Sequence, residues 1–465
     1  MLRLNVKSLT TLLVFYGSVL FFSPNTFAKD LFVALNGNDS VSYTDNSIDT
    51  PWATVAKGIY SLKAGDTLNI RGGEYVQNYP LTLHSQYRNK NPLVVMEAES
   101  GTADKPIVVK NYNNELVTIN LATVTTFLDV DNKSYWIFDG LTFTNAGIVF
   151  NIGTDAESYH HTFRNLKMYA NRLYGNSGLI YIQNNNAEYV VIENNIFQGE
   201  GDVSSEVGKP TSCVYARRVR HLKIKNNECK NALIGLYYKH RTLSQAESGD
   251  AEPVDIEIAY NFIENTTRAS MYINTNEAYI HDNVMGRNNA GLINTEASGD
   301  AGGDFNRYEH NTFYSGSLGF LAETQSYTFN GVSYEDKFPG SRYNTLKNNI
   351  FVNDVSLHRY SSDLPHNTTS NYNLLPQTVA VSANRVSYST LSSWQQASRM
   401  DANSLQGTPT FVGGSTPSKI ADFALSSTSL GYKKASDGLD MGAQIDKVGV
   451  ARTVTASPLP LDFIN

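Results

Sequence analysis

Between residues 163 and 352 the chain alternates short apolar runs with polar turns that carry asparagine. FRNLKM (163 to 168), ENNIFQ (193 to 198), KNNECK (225 to 230), AYNFIE (259 to 264), HDNVMG (281 to 286), EHNTFY (309 to 314) and KNNIFV (347 to 352) repeat one pattern. The asparagines before their apolar triplets stand at 165, 195, 227, 261, 283, 311 and 349, so the shortest spacing is 22 residues and the others add 6 to 16. A minimal unit with insertions is the signature of a solenoid. Runs such as YVVIENNIF and VDIEIAYNFI are short, β-branched and aromatic, and no amphipathic helix separates them. Strands of that kind can bury themselves only against their own repeats. Three short strands per turn predict an all-β, single-stranded right-handed parallel β-helix, with the asparagines stacked in a ladder at one tight turn, where Asn tolerates left-handed backbone.

Both ends of such a solenoid need covering. Thr50-Pro51 followed by WATVAKGIYSLKAGD predicts an N-cap, a proline at the first helical position and an amphipathic helix ending near Gly65. That helix would plug the first coil. From about 361 the repeat fades into Ser, Thr, Asn and Pro, with a short helix predicted at SSWQQAS (392 to 398). The chain is therefore divided into a leader, 1 to 28, a β-helix with its N-terminal cap, 29 to 360, and a C-terminal cap of the same domain, 361 to 465.

The repeat places side chains. Counting from each ladder asparagine, the next strands read GLIYIQN (178 to 184), SCVYARR (212 to 218), IGLYYKH (234 to 240), SMYINTN (270 to 276), GLINTEA (291 to 297) and GFLAETQ (319 to 325). One column then holds Gln183, Arg217, Lys239, Thr275, Glu296 and Thr324, and a second on the same face holds Tyr181, Tyr215 and Tyr237. Successive strands lie about 4.8 Å apart, which makes Arg217 and Lys239 direct neighbours. Lys239-His240-Arg241 would end a strand on a groove, beside Arg217 and Arg218, with tyrosines suited to sugar rings. The alternative is a solvated turn whose charges keep the edge soluble.

Composition bears on the partner. Arg3 and Lys7 precede an apolar stretch from Leu9 to Phe22, and Thr26-Phe27-Ala28 supplies small residues for cleavage, the pattern of a secretory signal peptide. Without it 35 basic face 44 acidic side chains, a net charge of −9, which argues against nucleic acid. No later stretch approaches the roughly 20 apolar residues of a membrane helix, so a secreted or periplasmic monomer is expected, without membrane insertion. The two cysteines, Cys213 and Cys229, make no disulfide framework and are read as two buried small side chains.

FVALNGNDS, PWATVAKGIYSLKAGDTLNIRGGEY, the NN-x-F coils and the ending DFALSSTSLGYKKASDGLDMGA resemble secreted β-helix polysaccharide lyases of families 6 and 9. The resemblance implies an anionic polysaccharide substrate. In family 6 a lysine on one coil and an Arg-His pair on the next surround the substrate uronate. Lys239-His240 matches the place of the pair and Arg217 or Arg218 that of the lysine, with Lys and Arg exchanged between coils. At the places of that family's calcium-binding acids stand Thr211 and Cys213, neither a carboxylate. Family 9 uses an aspartate cluster, which is missing beside Lys239. No cofactor is expected, with calcium as the alternative.

The implied reaction is β-elimination at a 4-linked uronic acid. Its carboxylate must be neutralised to acidify the C5 proton, which Arg217, Arg218 and Arg241 can do as guanidinium groups. Lys239 is the first candidate base, with His240 or Tyr237 next, and Tyr237, Tyr238 or His240 could protonate the leaving oxygen. Tyr215, Tyr238 and Glu296 complete the substrate-binding set. A β-helix glycoside hydrolase would need paired carboxyl groups, for which Glu296, Glu323 and Glu277 are available. A non-catalytic polysaccharide-binding or matrix protein would use the same groove. His160-His161 and His281-Asp282 are read as structural, and Asp300 and Asp304 as a weak calcium motif.

Overall fold

The computed structural model describes residues 28 to 450 except 79, 83–97, 122–123, 125, 131, 154–156, 171–176, 184–186, 200–210, 240–253, 288–291, 296–302, 317, 322–323, 330–331, 338–341, 353–355, 358–366, 379–380 and 384–385. Three sheets of twelve strands each run the length of the chain. Sheet A extends from Asp30–Val33 to Thr369–Asn371, sheet B from Gly73–Val76 to Leu405–Gln406, and sheet C from Leu81–Thr82 to Val386–Tyr388. Apart from the antiparallel pair Val381–Ala383 and Val386–Tyr388 that closes sheet C, neighbouring strands come from successive coils and pair in parallel, so each coil lends one strand to each sheet: a right-handed parallel β-helix. The sheets continue to Leu405–Gln406, past residue 360, where the sequence places the cap. Among the described residues no helix is long and apolar enough to cross a membrane.

Inward-facing Leu, Ile, Val and Phe fill the bore. In the early coils Phe138 stacks on Phe163 at 5.5 Å, with Phe127, Phe143 and Phe150 packed around them. The asparagine ladder runs through Asn195, Asn227, Asn261, Asn283, Asn311, Asn349 and Asn373, each at most 1% exposed. From Asn195 to Asn349 each Nδ2 donates to the Oδ1 of the next coil's asparagine at 2.9 to 3.2 Å, and Asn373 Nδ2 ends the row on Leu346 O at 3.1 Å. Asn165 stands outside it. In FRNLKM the lone asparagine takes the preceding left-handed corner (φ 55°), and Leu166 holds the ladder place, its N–H donating to Asn195 Oδ1 at 2.9 Å. Asn373 extends the ladder into the segment expected to be irregular.

The N-terminal helix is shorter than the sequence predicts. α1 (Val55–Tyr60) starts after Thr54, whose hydroxyl accepts from Lys57 N–H at 3.1 Å. Thr50-Pro51 is no cap, because Trp52 is held in a β-bridge with Val33 and buries its ring completely. α1 buries Val55, Ala56, Ile59 and Tyr60 in the core of the first coil. At the far end α2 (Leu391–Ser398) is capped by Thr390, and the buried Trp394 donates its indole N–H to Asp401 Oδ2 at 2.8 Å.

Beyond α2 the chain returns along the solenoid, against its direction of growth. Gly442 N–H donates to Asn348 O (2.7 Å), Gln444 N–H to Asp282 Oδ1 (3.0 Å), Gly449 N–H to Tyr260 O (2.8 Å), and Asn226 Nδ2 to Lys447 O (2.6 Å). These are the left-handed corner residues of successive coils. His310 lies under the same strap, hydrogen-bonded through Nδ1 to Gly442 O and through Nε2 to Asp437 Oδ2.

Candidate active site

Four strands of sheet C carry the residues singled out above: β1 (Ser177–Ile182), β2 (Thr211–Arg217), β3 (Ile234–Lys239) and β4 (Ala269–Ile273). From Ile180, Val214 and Leu236 onward side chains alternate along these strands, so Ile180, Ile182, Val214, Ala216, Leu236 and Tyr238 enter the bore while the residues between them face outward, and Ile234 packs on the tyrosine side. Tyr181, Tyr215 and Tyr237 pair in register, as the sequence predicts, and Arg217 pairs with Lys239. Tyr272 continues the tyrosine column. Ring centroids step by 4.9, 5.0 and 4.9 Å from Tyr181 to Tyr272. At the start of the column Asn151 Nδ2 donates to Asp129 Oδ1 at 2.8 Å.

Pairing of Tyr237 with Tyr272 moves the predicted column by one residue. Thr275 does not hold it: Lys239 is followed by Asn274, and in the next strand the register runs on from Asn294, which pairs with Ile273. A one-residue slip inverts the facing of every side chain in a strand. Tyr272 was hidden by that slip, although SMYI shows its outward place once read from the tyrosine instead of the asparagine turn.

Tyr238 corrects another expectation. Lying between two outward residues, it points into the bore, is 1% exposed, and donates its hydroxyl to Val219 O at 2.6 Å. It can neither touch substrate nor protonate a leaving group from there. Tyr215 is also closed off, at 1% exposure, and Tyr237 nearly so at 8%, while Tyr181 and Tyr272 are half-buried. The rings meet one another edge-on, so the column is a packed ridge with its ends accessible and not an open shelf for sugar rings.

The cations lie against this ridge. Lys239 Nζ is 5.6 Å from the Tyr237 ring centroid. Burial pushes the Tyr215 phenol up to about 12, with Lys239 and Arg217 pulling the other way, and burial likewise raises Tyr181 against Arg217. Among the described residues Arg217 Nε is buried with no hydrogen-bond partner, an orphaned donor at the centre of the patch. Arg218 turns the corner in left-handed backbone (φ 57°), its N–H donating to Lys239 O at 2.8 Å. His240, Arg241 and Glu296 lie outside the described residues, as do Glu323, Asp300 and the loops 200 to 210 and 240 to 253.

The cysteines are bonded to each other, not free. Cys213 and Cys229, with Cα atoms 6.1 Å apart, cross-link sheets C and B inside one coil, each 1% exposed. Cys213 is thereby unable to ligate a metal. Among the described residues no group of three His, Cys, Asp or Glu side chains is placed to hold a metal. Asp304 is occupied by a bidentate pairing with Arg342 (2.6 and 3.0 Å). His161, completely buried, bonds Ser158 Oγ at 2.8 Å, and burial drives its pKa down to about 3. Burial opposes protonation of His281 too, but Asp282 and Glu257 outweigh it and raise its pKa.

Residues 31–203 match the family model described as the Pel9A-like right-handed β-helix region. Pectate lyase Pel9A superposes over 90% of this chain and 96% of its own, with 14% identity and a TM-score of 0.51. XylC, solved with xylose, matches over 82% of this chain and 86% of its own at 9% identity and a TM-score of 0.50. A family 6 alginate lyase, AlyGC, aligns over 92% of this chain and 60% of its own at 13% identity and a TM-score of 0.48. No curated protein sequence matches the chain. The resemblance to β-helix polysaccharide lyases therefore holds at the level of the fold, and the solved structures at these identities speak to the fold alone.

Proposed function

We propose that this protein is a secreted polysaccharide lyase that cleaves a uronic-acid-containing polymer by β-elimination on the outer face of sheet C. The observation that carries the reading is the pairing of Arg217 with Lys239 on adjacent coils, with Arg217 Nε buried and unpartnered. An unsatisfied buried guanidinium donor calls for an anionic acceptor that none of the described residues supplies. A substrate carboxylate has the required charge and planar geometry.

In this reading Arg217 and Arg218 grip the uronate carboxylate and draw charge from C5, acidifying its proton. Lys239 Nζ removes that proton. Electrons from the C5–H bond form the C4–C5 double bond as the C4–O bond breaks, and Tyr237 or His240 gives a proton to the departing oxygen. Tyr181 and Tyr272, at the accessible ends of the tyrosine ridge, contact flanking sugars. No step is assigned to calcium, because the donor set at its expected place includes a disulfide sulfur.

Incubation with alginate, pectate, glycosaminoglycans and bacterial exopolysaccharides, followed by ultraviolet absorbance and mass spectrometry, tests the proposal. Products with an unsaturated uronate end support it. Saturated products with a new reducing end would make the protein a hydrolase, and retention of polymer without cleavage would make it a binding protein.

A further inference from the structure

Asp66 is a carboxylate 1% exposed at the start of the first coil. Its Oδ1 accepts from Lys29 N–H at 3.0 Å, and its Oδ2 from Lys63 N–H at 2.9 Å and the Tyr43 hydroxyl at 2.8 Å. Among the described residues no side-chain cation pairs with it. Lys29 Nζ instead donates to Thr44 O at 3.2 Å, and the Lys29 and Lys63 ammonium groups lie over the Tyr43 ring at 4.9 and 4.4 Å. A buried carboxylate held only by neutral donors is costly, and it would be better served by a cation in contact.

We propose that Lys29 is the N-terminal residue of the mature protein and that its α-ammonium, released by signal peptidase, is the counter-ion of Asp66. Hydrolysis of the Ala28–Lys29 bond consumes one water, leaves a carboxylate on Ala28 and frees an amine on Lys29, which takes up a proton. The nitrogen is already in place. Lys29 O accepts from Thr67 N–H at 2.8 Å and the strand Asp30–Val33 follows at once, so the atom 3.0 Å from Asp66 gains a full charge without moving. Processing thus converts a neutral hydrogen bond into a buried ion pair that fastens the first strand over the open end of the solenoid. Nothing in this depends on the elimination reading, and its test needs no substrate.

The full precursor is expressed for secretion, and intact mass defines the mature terminus. A second precursor carries Gly-Gly inserted between Ala28 and Lys29, so that its product keeps the disulfide but has an uncharged amide at Lys29. Ala28 is exposed, which leaves room for the added residues. At pH 6 the Lys29-terminated protein should melt about 2 °C or more above the extended one. Pairing raises the amine above its ordinary value near 8, so the advantage is full below that value and is lost as pH rises through the raised one; at pH 10 the gap should narrow. Asp66, Tyr43, Glu99 and the Lys29 and Lys63 side chains face the amine and are common to both forms. Asp66→Asn should abolish the gap at pH 6. A mature mass that starts elsewhere, equal melting at pH 6, or a gap that survives Asp66→Asn would overturn the proposal, and if Asp66→Asn does not fold, the first two outcomes decide.

Discussion

Coils 195 to 283 present two polar rows on opposite sides of one bore. At the corner between sheets A and B, Asn195 to Asn283 satisfy one another and the backbone through their side-chain amides, and all are buried. On the face of sheet C, Arg217 and Lys239 stand side by side with a guanidinium donor left unmet. The first row is repetitive and closed, and its role ends with the fold. The second is irregular, and in the proposed reading its unmet donor is what a substrate carboxylate would take up.

Substitutions sharpen that contrast. Lys239→Ala should lower turnover by about 10²- to 10⁴-fold while thermal melting and polymer retention stay near those of the parent, because a general base acts mainly in the transition state. Retained activity would remove Lys239 from the site. Arg217→Ala should weaken both retention and turnover, by about 10- to 100-fold in kcat/KM, and a purely structural arginine would instead lower the melting point.

The ladder should respond in the opposite sense. Asn261→Leu strips Asn227 N–H and Nδ2 of their acceptor and Ile224 O of a donor, and should cost about 3 kcal/mol in denaturant unfolding with catalysis per folded molecule unchanged. A cost near zero would mean that leucine serves as well there as Leu166 does at the corresponding place in the preceding coils. Replacing both Cys213 and Cys229 with Ser should cost about 3 kcal/mol by freeing a short loop in the unfolded chain, again without loss of turnover. Loss of turnover in that variant beyond the unfolded fraction would couple the bridge to the face of β2.

The smallest effect concerns pH. A hydrogen bond from His281, aided by Lys225 and opposed by burial, pushes Glu257 down to about 2. A depressed carboxylate stabilises the fold above its ordinary value near 4.3 and loses that contribution as pH falls towards 2. Raised His281 does the reverse: its contribution is full below about 6.5 and is lost as pH climbs through its higher folded value. Glu257→Gln should flatten the acid limb of a melting-temperature profile between pH 5 and 2. An unchanged limb would place acid sensitivity elsewhere.

Much of this was readable from residues alone. Repeated Asn before apolar triplets specified stacked coils because an amide that both donates and accepts at a fixed corner can bond only to its own kind above and below. The pairing of Arg217 with Lys239 followed from matching SCVYARR to IGLYYKH tyrosine on tyrosine. Local sequence did not decide how long each corner runs. FRNLKM and ENNIFQ look alike, yet one asparagine enters the left-handed corner and the other the ladder, and a single residue of difference after Ala269 moved Tyr272 into line and Thr275 out. Tyr238 lies in register with Ala216, between the outward Tyr237 and Lys239, so alternation alone, applied to it, puts it in the bore. The partnership of Cys213 with Cys229, the strap that binds Asn348, Asp282, Tyr260 and Asn226 in turn, and the burial of Asp66 against the nitrogen of Lys29 all join positions whose sequences carry no mark of each other. Only the closed coil brings those atoms within bonding distance, because contact across a solenoid is set by where each turn ends and not by the residues that make it.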